Sequence, residues 1–339
     1  MTDDYAQAVR KGTQSAGQLL RQLEIREQIE HTGGSINVFA AISELDVPLL
    51  FRPLDGLLGA FLNYPMQGIM VTTQRSLSIQ RFTAAHELGH CRLGHQPSLD
   101  DDNILRRMGR RDQPQESNFQ ELEADSFATA LLLPKWLIAN HMKRQGLTVH
   151  HFRRPNVIYQ LSLRLGVSYE AFCWTLVRYR MIDVKQAREL LKTPRREIKK
   201  YLLKRHEPKN YRGDVWLLTE RDAGTRIDGS RNDLFVLKLT EHSNGAYLWN
   251  IDELRESGFA IVGDEVVEVD KESIGDTSVR RVTAQPPNDY RGRLVLDEVR
   301  PWDIEQAITR LELNLDFTGP EEEGLSRVER RGRLTTEAA

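Results

Sequence analysis

Cysteine is nearly absent from this chain. Its 339 residues include two, Cys91 and Cys173, with no CxxC spacing. That excludes a disulfide-held secreted scaffold and suits a reducing compartment. An excess of either charge is missing too, since 47 Lys and Arg stand against 49 Asp and Glu. Without a global field, any contact with nucleic acid has to come from a local patch. No uninterrupted apolar run reaches the ~18 residues that cross a bilayer. The N-terminus, MTDDYAQAVRKG, is acidic and lacks the apolar stretch of a signal peptide. The reading is a soluble, cytoplasmic protein with no membrane partner. What the chain does have is 40% hydrophobic and 28% charged residues, enough for real cores. Its length suggests two or three domains.

The order of patterns divides the chain. The first thirty residues read as one weakly amphipathic helix carrying Leu19, Leu20, Leu23 and Ile29, closed by Gly33 and Gly34. A helix from near Ile36 follows, then three short strands at 47–54, 57–64 and 68–74. A helix through RFTAAHELGHCRLGH (81–95) precedes a polar loop with DDDN and RDQPQES. Next comes a second helix, FQELEADSFATALLL, stopped by Pro134. The pattern stays helical from Trp136 to about His206. Beyond Asp214, alternation and turn signals (DAGT, IDGS, HSNG, PPND) indicate a β-domain. The expected organisation is a multidomain α+β chain. Residues 1–145 carry the chemistry, 146–207 are helical, 214–317 form the β-domain, and 318–339, without apolar periodicity, are disordered.

Residues 86–90, HELGH, fit the HExxH pattern of metallopeptidases. Positions four apart lie on one helical face, so His86 and His90 reach one ion together. Glu87 sits about 100° round the helix, beside the ion, where a carboxylate can take a proton from an attacking water. Gly89 costs a helix interior about 1 kcal/mol relative to alanine, which makes sense if another backbone passes close by. With nine His and 27 Glu in the chain, chance supplies this pattern only about 0.02 times.

A zinc site needs a third protein ligand and an open position. The extended pattern HExxHxxGxxH fails, because Leu93 and Gln96 stand where glycine and histidine are required. A glutamate on the following helix is the other source. ELEAD (121–125) puts Glu121 and Asp125 on one face. Glu121 can bind the ion, and Asp125 can accept a hydrogen bond from the outer nitrogen of a ligating histidine.

RFTAAHELGH followed by ELEADSFATALLLP closely resembles the ImmA/IrrE family of metallopeptidases, and the likeness extends upstream through INVFAAISELDVPLLFRPLDGLLGAFLNY. It covers roughly residues 30–180. The resemblance implies a zincin-like domain, a small sheet plus the HExxH helix. It implies a zinc-dependent endopeptidase, with manganese an alternative ion, that cuts one regulatory protein, typically a helix-turn-helix repressor, under stress. His86 and His90 match the ligands and Glu87 the catalytic base. Glu121 is the third ligand, with Glu123 the alternative. No oxyanion donor is identifiable among His95, His141, His150, His151 and Tyr159.

LSLRLGVSYEAFCWTLVRYRMID (161–183) has the form of a helix-turn-helix unit, and the stretch after it has ten Lys and Arg against three Glu. DNA contact through 161–205 is one reading, and plain packing is the other. Cys91, next to a ligand, is a candidate oxidation sensor by proximity alone. In the β-domain, SNGAYLWNI (243–251) and DEVRPWDI (297–304) resemble the tight-turn and RPW loops of chagasin-type cysteine protease inhibitors. The middle glycine-rich loop of that family is poorly matched by IGDTSVRR. The resemblance implies an immunoglobulin-like β-sandwich, expected here to bind a protein partner or a signal. The rival to an enzyme is a non-catalytic, metal-containing regulatory protein that binds DNA or protein.

Overall fold

The computed structural model describes residues 3–64, 66–100, 119–268 and 278–337. The polar loop after Asp100 and the first part of IGDTSVRR lie outside these. The first helical pattern does not run through. Helix α1 (Asp3–Gln22) stops at Glu24, which takes a left-handed φ of 48°, and α2 (Ile25–Thr32) starts there. The break lets Leu19, Leu20, Ile25 and Ile29 enter one core. Asn37 caps α3 (Val38–Glu44), its Oδ1 accepting from the Ala40 amide at 3.1 Å.

Strands β1 (Leu49–Arg52), β2 (Gly59–Leu62) and β3 (Gly68–Thr72) form the expected small sheet. The sheet then gains two strands that no periodicity announced. One is β4 (Ser98–Asp100), beyond helix α4 (Leu77–Leu93). The other, described below, comes from the C-terminal tail. β3 is parallel to β1 and antiparallel to β2, so both its edges are filled. The outer edges belong to β1 and β2, and β4 pairs with β2 antiparallel.

Helix α5 (Phe119–Leu132) lies between α1 and α4. Close approach is secured by glycines on both neighbours. A Cβ on Gly12 would stand 2.1 Å from the Glu123 carbonyl, and one on Gly89 3.1 Å from Ala124 Cα. Gly12 leaves no room for a side chain, and Gly89 is in tight contact with the α5 backbone. Helices α6 (Lys135–Arg144), α7 (Pro155–Arg164), α8 (Tyr169–Arg178), α9 (Val184–Lys192) and α10 (Arg195–Leu203) follow. Their apolar faces join the same core, which runs from Ala16 through to Val236. The boundary expected at 145/146 is therefore not a boundary between cores. Helix α8, the second helix of the 161–183 unit, is buried along most of its length and exposes the acidic Glu170.

The β-domain consists of β5 (Val215–Leu218), β6 (Thr225–Asp228), β7 (Leu234–Glu241), β8 (Leu248–Trp249), α11 (Asp252–Glu256), β9 (Ala260–Glu268), β10 (Ser278–Gln285), β11 (Arg291–Val299) and β12 (Thr309–Asp316). Two four-stranded sheets, β5-β7-β10-β9 and β6-β12-β11-β8, share one core around Phe235, Leu237, Leu294 and Leu313. This is the expected β-sandwich. Its edge strand β5 is covered by α7. Gln160 donates Nε2 to the Val215 carbonyl at 2.7 Å and accepts from the Leu217 amide at 2.8 Å, taking the place of a neighbouring strand. Buried Arg164 pairs with Asp222 at 2.9 Å, and Arg81 of α4 pairs with Asp228 of β6 at 2.8 Å. The sandwich is thus tied to the helix that carries the HExxH residues.

The tail read as disordered does not behave so over its described part. β13 (Gly324–Leu325) pairs antiparallel with β1, and α12 (Arg327–Glu337) follows. Gln80 of α4, fully buried, donates to the Glu321 carbonyl at 3.0 Å and accepts from its amide at 2.7 Å. Local sequence cannot order this segment, but an unpaired strand edge and a buried amide elsewhere in the fold can. No helix among the described residues is long and apolar enough to cross a membrane.

Candidate metal centre

Helix α4 is buried without interruption from Gln80 to His90, because sheet, α5 and α1 surround it. A helix in that position can hold imidazoles away from water on every side. His86 and Glu87 are 0% exposed and His90 is 1%. The two Nε2 atoms, four residues apart, approach to 3.0 Å. Glu121, from the first turn of α5, directs Oε2 to 3.3 Å from His86 Nε2 and Oε1 to 3.5 Å from His90 Nε2. Asp100, from the end of β4, puts Oδ2 at 3.3 Å from His86 Nε2 and 4.0 Å from His90 Nε2. One ligand atom from each of the four residues lies within 4.8 Å of the others.

These separations test whether an ion fits. A tetrahedral ion with bonds of about 2.0–2.1 Å keeps its ligand atoms about 3.3–3.4 Å apart. The distances here bracket that value, and two imidazoles with carboxylates are a borderline-to-hard donor set suited to zinc or manganese. The residues fit a divalent cation.

Behind the two imidazoles stand different supports. His86 Nδ1 lies 2.9 Å from Asp125 Oδ1, the support expected for that residue. His90 Nδ1 instead meets His95 Nδ1 at 2.9 Å, and His95 Nε2 bonds Glu123 Oε2, also at 2.9 Å. Lys11 of α1 closes the chain by donating to the same oxygen at 2.6 Å. Glu123 therefore faces away from the ion position and Glu121 toward it. His95 supports a ligand rather than facing a substrate.

The electrostatics follow from burial. Desolvation pushes the Glu87 carboxyl well above the usual range, with His86 opposing and Asp100, which shares a hydrogen bond with it, adding to the rise. Burial and the neighbouring His86 hold His90 down to about 3. Burial opposes ionisation of Asp100, but bonds to His86 and Glu87 outweigh it and bring it to about 2. The site thus concentrates carboxylates around two imidazoles in a water-poor interior, an environment that a cation relieves.

The other sequence candidates lie elsewhere. His141 donates Nε2–H to the Gly34 carbonyl at 2.9 Å, Tyr159 donates to Asp214 at 2.8 Å, and His151 bonds the Thr148 amide at 3.0 Å. Half-buried Cys91 contacts Gln67 at 3.6 Å, and burial raises its thiol, the opposite of an activated sensor. Asp100 went unread because it is the first of three consecutive aspartates that look like a loop. Only the pairing of β4 with β2 directs Asp100 inward.

The arrangement is a buried His–His–carboxylate cluster that could hold a metal ion, with a glutamate beside it. Residues 42–177 match the family Peptidase M78, described as IrrE N-terminal-like domain. The match supports a metallopeptidase of the ImmA/IrrE type. No curated protein matches the chain. Among solved structures the chain is similar to the cysteine protease inhibitor EhICP2 from Entamoeba histolytica, at 20% identity and a TM-score of 0.28 over 32% of this chain and 99% of that one. It is also similar to Amebosin, at 19% identity and a TM-score of 0.26 over 31% of this chain and 97% of that one.

Proposed function

We propose that the protein is a zinc-dependent endopeptidase of the cytoplasm that cuts a regulatory protein, a helix-turn-helix repressor being the expected class. The observation carrying this reading is the convergence of His86, His90 and Glu121 on one point with Glu87 buried beside them. His86, His90 and Glu121 would hold the ion. When bound, the ion supplies Lewis acidity, polarising a peptide carbonyl and making water acidic enough to lose a proton near neutral pH.

The remaining work falls to the chain. Glu87 accepts the proton of the attacking water and delivers it to the leaving amine, a role that suits a carboxyl whose affinity for protons is raised by burial. Asp125 fixes His86, and the His95–Glu123–Lys11 relay fixes His90, so neither imidazole has to be ordered when substrate arrives. The β-domain, bonded to α4 through Arg81 and Asp228, is the surface proposed for a regulatory partner.

A second reading has its own observation. Four protein ligands with no vacancy describe a structural zinc site, and Asp100 completes such a set. Elemental analysis of wild type and His86→Ala, beside incubation with repressors encoded near the gene, separates the two. One zinc per chain, lost in His86→Ala, with a single cut in one repressor supports the peptidase. One zinc with no cut in any condition, by wild type or by Asp100→Ala, supports the structural site. No zinc in wild type removes both.

A further inference from the structure

We propose that Asp100 is a fourth protein ligand to the ion and that β4 stands in for the substrate, so that the conformation seen here is a latent one. The inference rests on the metal centre proposed above and deepens it. It also names how the substrate binds, as an extended strand added to β2.

Strand β2 runs directly against α4. Its Gly59 crosses α4 so closely that a Cβ there would fall 2.4 Å from Thr83 Cγ2 and 2.7 Å from Glu87 Oε1. A chain paired with β2 at this point is therefore held beside the catalytic glutamate. The residue paired with Gly59 is Asp100, and the Leu58 amide donates to the Asp100 carbonyl at 2.7 Å. A single residue of β4 thus does two things. Its backbone occupies the edge of β2, and its side chain, 6% exposed, delivers Oδ2 to the two ligand imidazoles. The same carboxylate shares a hydrogen bond with Glu87, the group that has to handle the proton of an attacking water.

An extended peptide binding in the same antiparallel sense would meet the same groups. Its backbone would replace the pairs Gly59–Asp100, Ala60–Leu99 and Phe61–Ser98, and its carbonyl would stand where the Asp100 carboxylate now does. While β4 is in place, no other strand can pair with β2 at these residues. The strand is only three residues long and its Leu99 side chain is 68% exposed, so little apolar burial holds it. Short, poorly buried elements open locally at low cost. The substrate class that follows is an unstructured or edge-strand segment of a protein, because a helix cannot pair with β2.

β3 has neighbours on both sides and offers no edge.

The experiment uses the full chain loaded with Co²⁺, whose visible absorption reports coordination number and exchangeable positions. Wild type, Asp100→Ala and the isosteric Asp100→Asn are titrated with azide, and bound cobalt is counted in each. The expected result is one cobalt in all three, with azide perturbing the spectrum of both variants at about tenfold or more lower concentration than in wild type. The variants should also cut an unfolded generic substrate about tenfold faster. Equal azide affinity in wild type and both variants overturns the proposal while leaving the metal centre intact. Wild type that binds no cobalt overturns the metal centre as well, so the two failures are told apart by stoichiometry. If Asp100→Ala is misfolded, Asp100→Asn alone decides.

Discussion

The two edges of the small sheet are both covered, by means that differ in purpose. At one edge β13 lies against β1, delivered from more than 250 residues away and pinned where buried Gln80 exchanges hydrogen bonds with the Glu321 backbone. Nothing in that cover reaches the metal centre. At the other edge β4 lies against β2, and its last residue reaches into the ion position. The first cover completes the fold, and the second occupies the site. A strand edge left open is a hazard in any protein, but only an edge beside a catalytic centre is also a place to bind an extended substrate.

The largest effect that separates the edges comes from the glutamate beside β2. Glu87→Gln is expected to lower cleavage about 10²–10⁴-fold while leaving metal content unchanged, as read by turnover beside elemental analysis. Retained activity would remove Glu87 from the chemistry. Next comes the division of labour on α5. Glu121→Gln should abolish stoichiometric metal, whereas Glu123→Gln, which breaks only the relay from Lys11 to His90, should weaken affinity by about 10–100-fold. Competition with a chelator measures both, and equal losses would erase the distinction.

Backbone substitutions then compare the edges directly. Gly59→Ala forces a methyl against Thr83 and Glu87 and should cost about 1–3 kcal/mol in denaturant unfolding, with activity lost beyond what stability explains. Deleting the chain after Phe317 strips the cover from β1 and leaves the Gln80 amide without its Glu321 partner. It should cost about 1–3 kcal/mol while metal binding persists. Loss of metal on that deletion would mean the far edge is not independent of the site.

The smallest effect at neutral pH lies away from both edges. Burial holds His141 at about 4, against 6.5 for an exposed imidazole. The unfolded chain therefore takes up this proton first. Its contribution is fully present above pH 6.5 and is lost as pH falls from 6.5 toward 4. Comparing wild type with His141→Gln, which keeps a donor toward Gly34, should reveal about 2 kcal/mol of this loss at pH 5 and none at pH 7. Parallel stability profiles for the two proteins would contradict it.

How much of this was legible depended on distance along the chain. His86 and His90 share a helical turn, and Glu121 and Asp125 share another, so helical spacing alone put each pair on one face. Gly89 pointed to a close backbone, and α5 is what passes there. A strand-rich C-terminal region could be read from alternation and turns, whereas its two-sheet arrangement was expected only from the resemblance to chagasin-type inhibitors. Whether the first two hundred residues build one core or two could not be read, because helices α6 to α10 bury the same kind of apolar face whether they pack on each other or on the sheet. Their burial around one core is a tertiary fact.

What the sequence determined by itself was the set of local geometries: two histidines and a glutamate on one helix, a carboxylate pair on the next, a strand-rich C-terminal third. Helical and strand periodicities fix such relations over a few residues, whatever else the chain does. Only the tertiary structure decided that Asp100 enters the site, that Glu121 rather than Glu123 turns toward it, and that residues 324–325 return to the first sheet. Each of these depends on which strand edge or helix groove lies nearby after folding. Neither an aspartate in a run of aspartates nor a glycine–leucine pair in a polar tail carries that information in its neighbours.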